Sequence, residues 1–200
     1  MSLWVLFCTV LLALLLTSCV GKTPPSTFYL LEPLAKSLPD QPHTNSAKWL
    51  IALTPVKIPG YLDRSQLISA TDKNSYSLDE LHRWAESLDE NLTRVVRQDL
   101  AVLIPAEVVL SSNSLARQAS LKLSINILEF HVDPQGQARL NAEWQVSRGE
   151  EVVSSQHNEY HAMASRDDVQ LKVQALNQCI LQLNQALASS ILDVGQGKVD

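Results

Sequence analysis

Residues 121–146 read Leu121-Lys122-Leu123-Ser124-Ile125-Asn126-Ile127-Leu128-Glu129-Phe130-His131-Val132-Asp133-Pro134-Gln135-Gly136-Gln137-Ala138-Arg139-Leu140-Asn141-Ala142-Glu143-Trp144-Gln145-Val146. Leu121, Leu123, Ile125 and Ile127 alternate with Lys122, Ser124 and Asn126, the pattern of a strand with one dry and one wet face. The apolar parity switches after Ile127 to Leu128 and Phe130, which predicts a β-bulge. Asp133-Pro134-Gln135-Gly136 has type I turn chemistry, with Pro second and Gly fourth. Ala138, Leu140, Ala142, Trp144 and Val146 then alternate on the way back. After the turn Arg148-Gly149-Glu150, Val152 to Ala162 reads as a third, more polar strand. Residues 120–163 therefore form an antiparallel meander.

On its C-terminal side, Val169, Val173, Leu176, Ile180, Leu183, Leu187 and Ile191 recur every three or four residues. This is one buried stripe of a long helix. Ser165 is the expected cap, with Asp167 and Asp168 in the positive first turn. On the N-terminal side a second helix starts at Ser87, where Ser87 and Glu90 have capping-box spacing. Leu88, Leu92, Val95, Val96, Leu100 and Leu103 are its dry stripe, and Pro105 ends it. Arg94, Arg97, Gln98 and Asp99 fall mostly on its wet face. Glu107 to Leu110 is a strand, and Ser111 to Gln118 a polar loop.

Further upstream, Phe28 to Leu31 is the first strand, and Glu32 to Lys48, with Pro33, Pro39 and Pro42, an exposed loop. Trp49 to Ile58 is a strand buried on both faces, with an edge or bulge at Pro55. Pro59-Gly60-Tyr61-Leu62 turns the chain. Leu67 to Ala70 is a short strand, and Tyr76 to Leu78 can return from it. The order β-β-β-α-β-β-β-β-α implies one α+β domain over residues 28–194. It has a mixed, mostly antiparallel sheet with two long helices packed on one face. Residues 195–200 are expected to be a flexible tail.

The apolar content of 46% and charged content of 18% are those of a globular protein. A formal net charge of −5 argues against nucleic acid as a partner. The three cysteines are Cys8, Cys19 and Cys179. Leu3 to Leu16 is an apolar run too short to span a bilayer comfortably, and it meets Leu16-Thr17-Ser18-Cys19. A leucine, two small residues and a cysteine are the lipobox pattern of bacterial lipoproteins. On that reading residues 1–18 are a removed signal peptide. Cys19 carries the acyl chains, palmitate among them, and residues 19–27, with Pro24-Pro25, are a spacer. The alternatives are an ordinary secretory peptide or one N-terminal transmembrane helix. No Lys or Arg precedes the apolar run, a departure from the usual positive start. Val20, rather than Asp, after the cysteine is similar to the signal for outer-membrane export. The chain is then lipid-anchored on the periplasmic face of the outer membrane. With Cys8 removed and Cys19 acylated, Cys179 has no intrachain partner and reads as a buried apolar residue.

Signs of catalysis are absent from the sequence. No GxGxxG, GxSxG, CxxC or HExxH occurs. His157 and His161 have a helical metal spacing but fall in a predicted strand, about 13 Å apart at ~3.3 Å per residue. They read as solvated histidines. Asp79-Glu80 and Asp89-Glu90 read as acidic pairs at a helix start. No catalytic, cofactor-binding or metal-binding residue is assigned, and the protein reads as a non-enzyme whose only prosthetic chemistry is the lipid on Cys19.

Three stretches carry a family resemblance. The first is the lipobox followed within ten residues by Phe28-Tyr29-Leu30-Leu31. The second is Val56-Lys57-Ile58-Pro59-Gly60-Tyr61-Leu62-Asp63-Arg64-Ser65-Gln66-Leu67-Ile68, and the third Arg83-Trp84-Ala85-Glu86-Ser87-Leu88. Together they resemble the ABC-type transport auxiliary lipoproteins, the PqiC/YmbA-like family, from Cys19 to about Leu192. The third stretch has Glu86-Ser87 where the family often has Glu-Pro. The resemblance implies an accessory subunit of an MCE-type, ABC transporter-linked lipid-transport system that contributes to envelope integrity. Its partners would be an MCE-domain protein, the outer membrane through the acyl chains, and further copies of itself in a homo-oligomer.

Tyr61, Leu62, Asp63, Arg64 and Trp84 are the candidate interface. The competing reading of the 59–64 stretch is a conformationally strict turn with Tyr61 and Leu62 packed inward. A different class of function, a periplasmic lipid-binding carrier or chaperone, needs an apolar cavity on the order of several hundred Å³. A hydrolase is a more distant third.

Overall fold

The structure, a computed structural model, describes residues 24–34 and 49–196, and residue 4. The signal segment, Cys19, most of the spacer, most of the 32–48 loop and residues 197–200 lie outside the described residues. In chain order the elements are β1 (Thr27–Tyr29), β2 (Trp49–Leu53), β3 (Gln66–Asp72), β4 (Ser75–Trp84), α1 (Leu88–Leu103) and β5 (Ala106–Leu110). A 3₁₀ turn (Ser114–Gln118), β6 (Leu121–Val132), β7 (Gln137–Arg148), β8 (Glu151–Met163) and α2 (Val169–Gly195) follow.

The sheet is assembled on β6. One edge of β6 pairs antiparallel with β7, which pairs antiparallel with β8, so the expected meander forms. The bulge falls where the parity switch puts it, between Ile127 and Glu129. Gly136, at φ +80°, completes the expected tight turn, its N–H donating to the Asp133 carbonyl at 3.0 Å. The other edge of β6 is shared by three segments. β2 runs parallel to Leu121–Leu123, Lys57 bridges Asn126, and Ser69 of β3 registers with Val132. β5 extends the sheet beyond β2, and β4 then β1 extend it beyond β3. The long ladders are antiparallel and the short ones parallel, so the sheet is mixed as expected.

The alternation of β6 and β7 decides the layering. Leu121, Leu123, Ile125, Ile127, Ala138, Leu140, Ala142, Trp144 and Val146 are buried under the helices, whereas Lys122, Ser124, Glu143 and Gln145 stand on the helix-free face. From α1, Leu88, Leu92, Val95, Val96 and Leu100 meet this core. From α2, Val173, Leu176, Ile180, Leu183, Leu187 and Ile191 do so, and Cys179 is buried with them. Burial pushes the Cys179 thiol up to about 12, so it packs as an inert apolar group.

Several local expectations are corrected. The 49–58 strand breaks at Pro55, which has no N–H for the ladder. Thr54 N–H donates to the Leu123 carbonyl and Lys57 N–H to that of Ile125, but Val56 N–H is diverted to Thr93 Oγ1 at 2.9 Å. β3 and β4 are longer than the 67–70 and 76–78 pieces. Asp79-Glu80 therefore lies within β4, not at a helix start. The Asp79 carboxylate accepts the N–H groups of Leu81 and His82, both at 3.1 Å.

The caps differ as well. Ser87 is the N-cap of α1 but its side chain makes no capping bond, so the capping box is not formed. α2 is capped by Asp168, whose carboxylate accepts from Leu171 N–H, while Ser165 Oγ accepts from the amides of Asp167 and Asp168 one turn earlier. Gly195, expected in the tail, is the last helical residue. A Cβ there would lie 2.6 Å from the Trp49 ring, a close approach that only glycine allows.

Candidate docking surface and N-terminal strap

The 59–64 turn is closed by its own backbone. Leu62 N–H donates to the Pro59 carbonyl at 2.9 Å and Arg64 N–H to that of Leu62 at 2.8 Å. Leu62 is buried and Tyr61 half-buried, so the packed-turn reading holds for these two. The bulge at Leu128 turns its carbonyl out of the β6–β7 ladder, and the Tyr61 hydroxyl donates to it at 3.4 Å. Burial pushes the Tyr61 hydroxyl well above the ordinary tyrosine range, and the neighbouring Tyr76 and Glu129 add to this. Its ring lies 5.1 Å from that of Tyr76, and Tyr76 meets His131 edge-on at 5.3 Å.

His131 is buried, and burial lowers its pKa. Beside it, Arg139 pairs with the buried Asp133 at 2.8 Å. Burial pushes Asp133 up, but hydrogen bonds from the Gln137 amide, Arg139 and the Gln135 amide outweigh this and hold it below the carboxylate range. Asp63 and Arg64 are the part of the turn that faces solvent. Trp84 is corrected from surface to core. It is 6% exposed and stacks on Phe130 at 6.4 Å. The structure thus brings Tyr61 to Arg64 together in one turn and places the Trp84 backbone beside it, its N–H donating to the Ser65 carbonyl at 2.7 Å, with the Trp84 ring turned into the core.

A second arrangement was not expected. Residues 31–34 lie between the two helices as a strap, with backbone groups held by side chains of both. Leu31 N–H donates to Asn91 Oδ1 at 3.2 Å and Leu34 N–H to Asp99 Oδ1 at 2.6 Å, both on α1. Glu32 N–H donates to Asn177 Oδ1 on α2 at 3.0 Å. Asn184 of α2 donates to Asp99 Oδ2 at 2.7 Å, tying the helices together beneath the strap. Arg94 bridges the Leu31 carbonyl and Glu86. Asp99 is therefore buried and Arg94 half-buried, not on a wet face. Burial raises the Asp99 pKa, against hydrogen bonds from Leu34 and Asn184 that lower it. A signal for this was present in the sequence. Asn91, Val95 and Asp99 step by four along the dry stripe, which places two polar residues where only apolar ones are expected.

His157 and His161 share one face of β8, as expected, with His157 Nε2 2.6 Å from Asn141 Oδ1 and His161 near Glu159. Among the described residues, no group of three or more His, Cys, Asp or Glu side chains is placed to hold a metal ion. No described helix is long and apolar enough to cross a membrane.

These features define a two-layer α+β domain whose N-terminal segment is built into its helix layer. The chain belongs to the family of ABC-type transport auxiliary lipoprotein components, whose model matches residues 29–188. That is a family of transport accessory proteins, not of enzymes. The crystal structure of an uncharacterized protein superposes with a TM-score of 0.70 at 19% identity, covering 84% of this chain and 99% of that one. Protein XCC0632 from Xanthomonas campestris, of the DUF330 family, superposes with a TM-score of 0.71 at 16% identity, covering 86% and 98%. Both show the same fold. No curated protein matches the chain in sequence.

Proposed function

We propose that the protein is a periplasmic lipoprotein, held in the outer membrane by acyl chains on Cys19, that docks an MCE-domain protein of an ABC transporter-linked lipid-transport system. It thereby contributes to envelope integrity, and it works as a homo-oligomer that matches the symmetry of its partner. The observation that carries this reading is the family match from residue 29, ten residues after the lipobox cysteine. The N-terminal segment supports it, because a pull on the N-terminus meets first the β1–β4 ladder and then the strap, which side chains of α1 and α2 hold. The space between sheet and helices is occupied by Trp144, Phe130, Leu140 and Ile180, which favours a docking domain over a lipid carrier.

The docking surface is the 59–64 turn, with Asp63 and Arg64 exposed and Tyr61 fixing the turn from below. Crosslinking pull-down of the lipidated protein from its native envelope tests this. Recovery of an MCE-domain protein, crosslinked near Asp63 and Arg64, is the expected result. Recovery of bound phospholipid and no MCE protein would replace it with the carrier reading. Arg64→Glu is expected to abolish the recovery while leaving the unfolding midpoint unchanged. Unaltered recovery would remove this turn from the interface.

A further inference from the structure

Thr27, Phe28 and Tyr29 run parallel to His82, Arg83 and Trp84. The chain before Thr27 therefore leaves the domain along β4, toward Ser75 and the β3–β4 turn. Pro24 and Pro25 have no N–H groups with which to continue the ladder. The register of β4 shifts between the Gln66–Arg83 and Leu67–Asp79 pairs, so β4 advances only about one step through 80–82. The turn thus projects roughly 16 Å beyond the level of Thr27, at ~3.3 Å per residue. Cys19 stands eight residues before Thr27. Such a segment reaches at most ~28 Å when extended. The segment is therefore long enough for Cys19 to reach the level of the β3–β4 turn.

Other groups gather at this end. β3 is parallel to β6, so the β6–β7 turn and the end of β8 lie beside the β3–β4 turn. Tyr76, on β4, and Met163, at the end of β8, are exposed large apolar side chains here, with Leu78 next to Tyr76. Lys73 sits in the β3–β4 turn, and Arg166 packs over Gly136 in the β6–β7 turn. Asp133 pairs with Arg139, whereas Asp72, Asp167 and Asp168 are exposed, Asp72 accepting the Lys73 amide and Asp168 capping α2. The far end of the meander, the β7–β8 turn, carries exposed Arg148, Glu150 and Glu151.

The geometry points to a face that rests on phospholipid. The β3–β4 turn and the Met163–Arg166 segment lie on the bilayer surface, with Tyr76 and Met163 among the headgroups. An amphipathic aromatic side chain beside an exposed apolar one suits this zone. The placement orients the helix pair and the 59–64 turn relative to the membrane. It rests on acylation of Cys19, which mass spectrometry of the purified lipoprotein reads separately.

The test uses full-length lipidated protein in vesicles of phosphatidylethanolamine and phosphatidylglycerol doped with a headgroup-nitroxide lipid. Lys73→Cys, Met163→Cys and Glu150→Cys each carry one fluorophore, Cys179 being buried. All three positions are exposed, and circular dichroism confirms their folding. Labels at 73 and 163 are expected to be quenched several-fold more than the label at 150. Equal quenching at the three sites, or stronger quenching at 150, overturns the proposal while leaving the anchor intact. An unmodified Cys19 overturns both this placement and the anchoring reading.

Discussion

Leu140 on β7 and Leu34 in the strap both sit beside the helix layer, but they are held in different ways. Leu140 lies in a continuous apolar layer, its strand paired on both sides by long antiparallel ladders. Leu34 is held through its backbone, by one carboxylate oxygen of Asp99. The meander and α2 are stabilised by area and repetition, so any single group is one among many. The N-terminal segment has one fully buried side chain, Leu31, and the short β1 ladder on β4, and beyond these depends on a few polar side chains, each with a specific partner. The first arrangement gives a rigid body, and the second ties the N-terminal segment to it.

The largest effect that separates the two is a cavity in the meander. Trp144 is fully buried, and its indole Nε1 has no hydrogen-bond partner. Burying a tryptophan removes about 200 Å² from water, worth roughly 5 kcal/mol at ~25 cal/mol per Å². The unpaired N–H costs about 1–3 kcal/mol. Area therefore wins, and Trp144→Ala is expected to lower unfolding stability by about 3–5 kcal/mol. Urea denaturation followed by circular dichroism should show one earlier transition for the whole domain. A shift below about 1 kcal/mol would mean that the layer between β7 and the helices collapses around the gap.

The strap should respond locally. Asp99→Ala leaves the Leu34 N–H and the Asn184 amide without partners, at about 1–3 kcal/mol each. Hydrogen exchange is expected to speed up at Leu31, Glu32 and Leu34 and to stay slow in β6 and β7. Uniform acceleration would mean that strap and meander open together, and the contrast between the halves would be lost. Asp99→Asn separates charge from shape. Burial raises the folded-state pKa of Asp99 above its unfolded value, so this group lowers stability as pH rises through that window, and the penalty persists above it. Asp133, held low, acts the other way. Its contribution is present above the unfolded carboxylate pKa and disappears as pH falls through the folded one. The stability of Asp99→Asn relative to the parent should therefore rise between about pH 4 and pH 7. Denaturation curves at the two pH values check the sign.

The same contrast explains what could be read in advance. Alternation along 121–146 and the stripe from Val169 to Ile191 repeat one signal many times, so the meander, its bulge and the long helix emerge from residue type alone. The 59–64 turn was legible as a turn because Pro59 and Gly60 fix it locally, and Tyr61 and Leu62 proved to pack inward. Trp84 was misplaced because its burial depends on Phe130, 46 residues away in sequence and opposite it only once β4 and β6 are both placed. Asp99 was misplaced for a similar reason. A carboxylate in a helix defaults to the solvent face, and its partners Leu34 and Asn184 lie 65 and 85 residues away. The helical period marks Asn91 and Asp99 as polar residues on the dry stripe, but it does not name the distant partners they hold.

Helix starts give the finest test, because the same residue types read equally well at both and only one cap forms. Ser87 and Glu90 have capping-box spacing, yet Ser87 makes no side-chain bond to the first turn of α1. That helix start is served instead by Asp89 and Glu90 against the dipole and by the Arg94–Glu86 pair at 2.7 Å. At α2, Asp168 accepts from Leu171 N–H at 3.1 Å. Replacing a working cap with alanine costs about 1 kcal/mol, and replacing an idle one costs little beyond propensity. Asp168→Ala is therefore expected to lower stability by about 1 kcal/mol, and Ser87→Ala by less than about 0.5 kcal/mol. Equal losses in parallel urea titrations would show that Ser87 caps α1 in solution. They would also restore the capping box to the N-terminal half, whose order would then rest less on the strap.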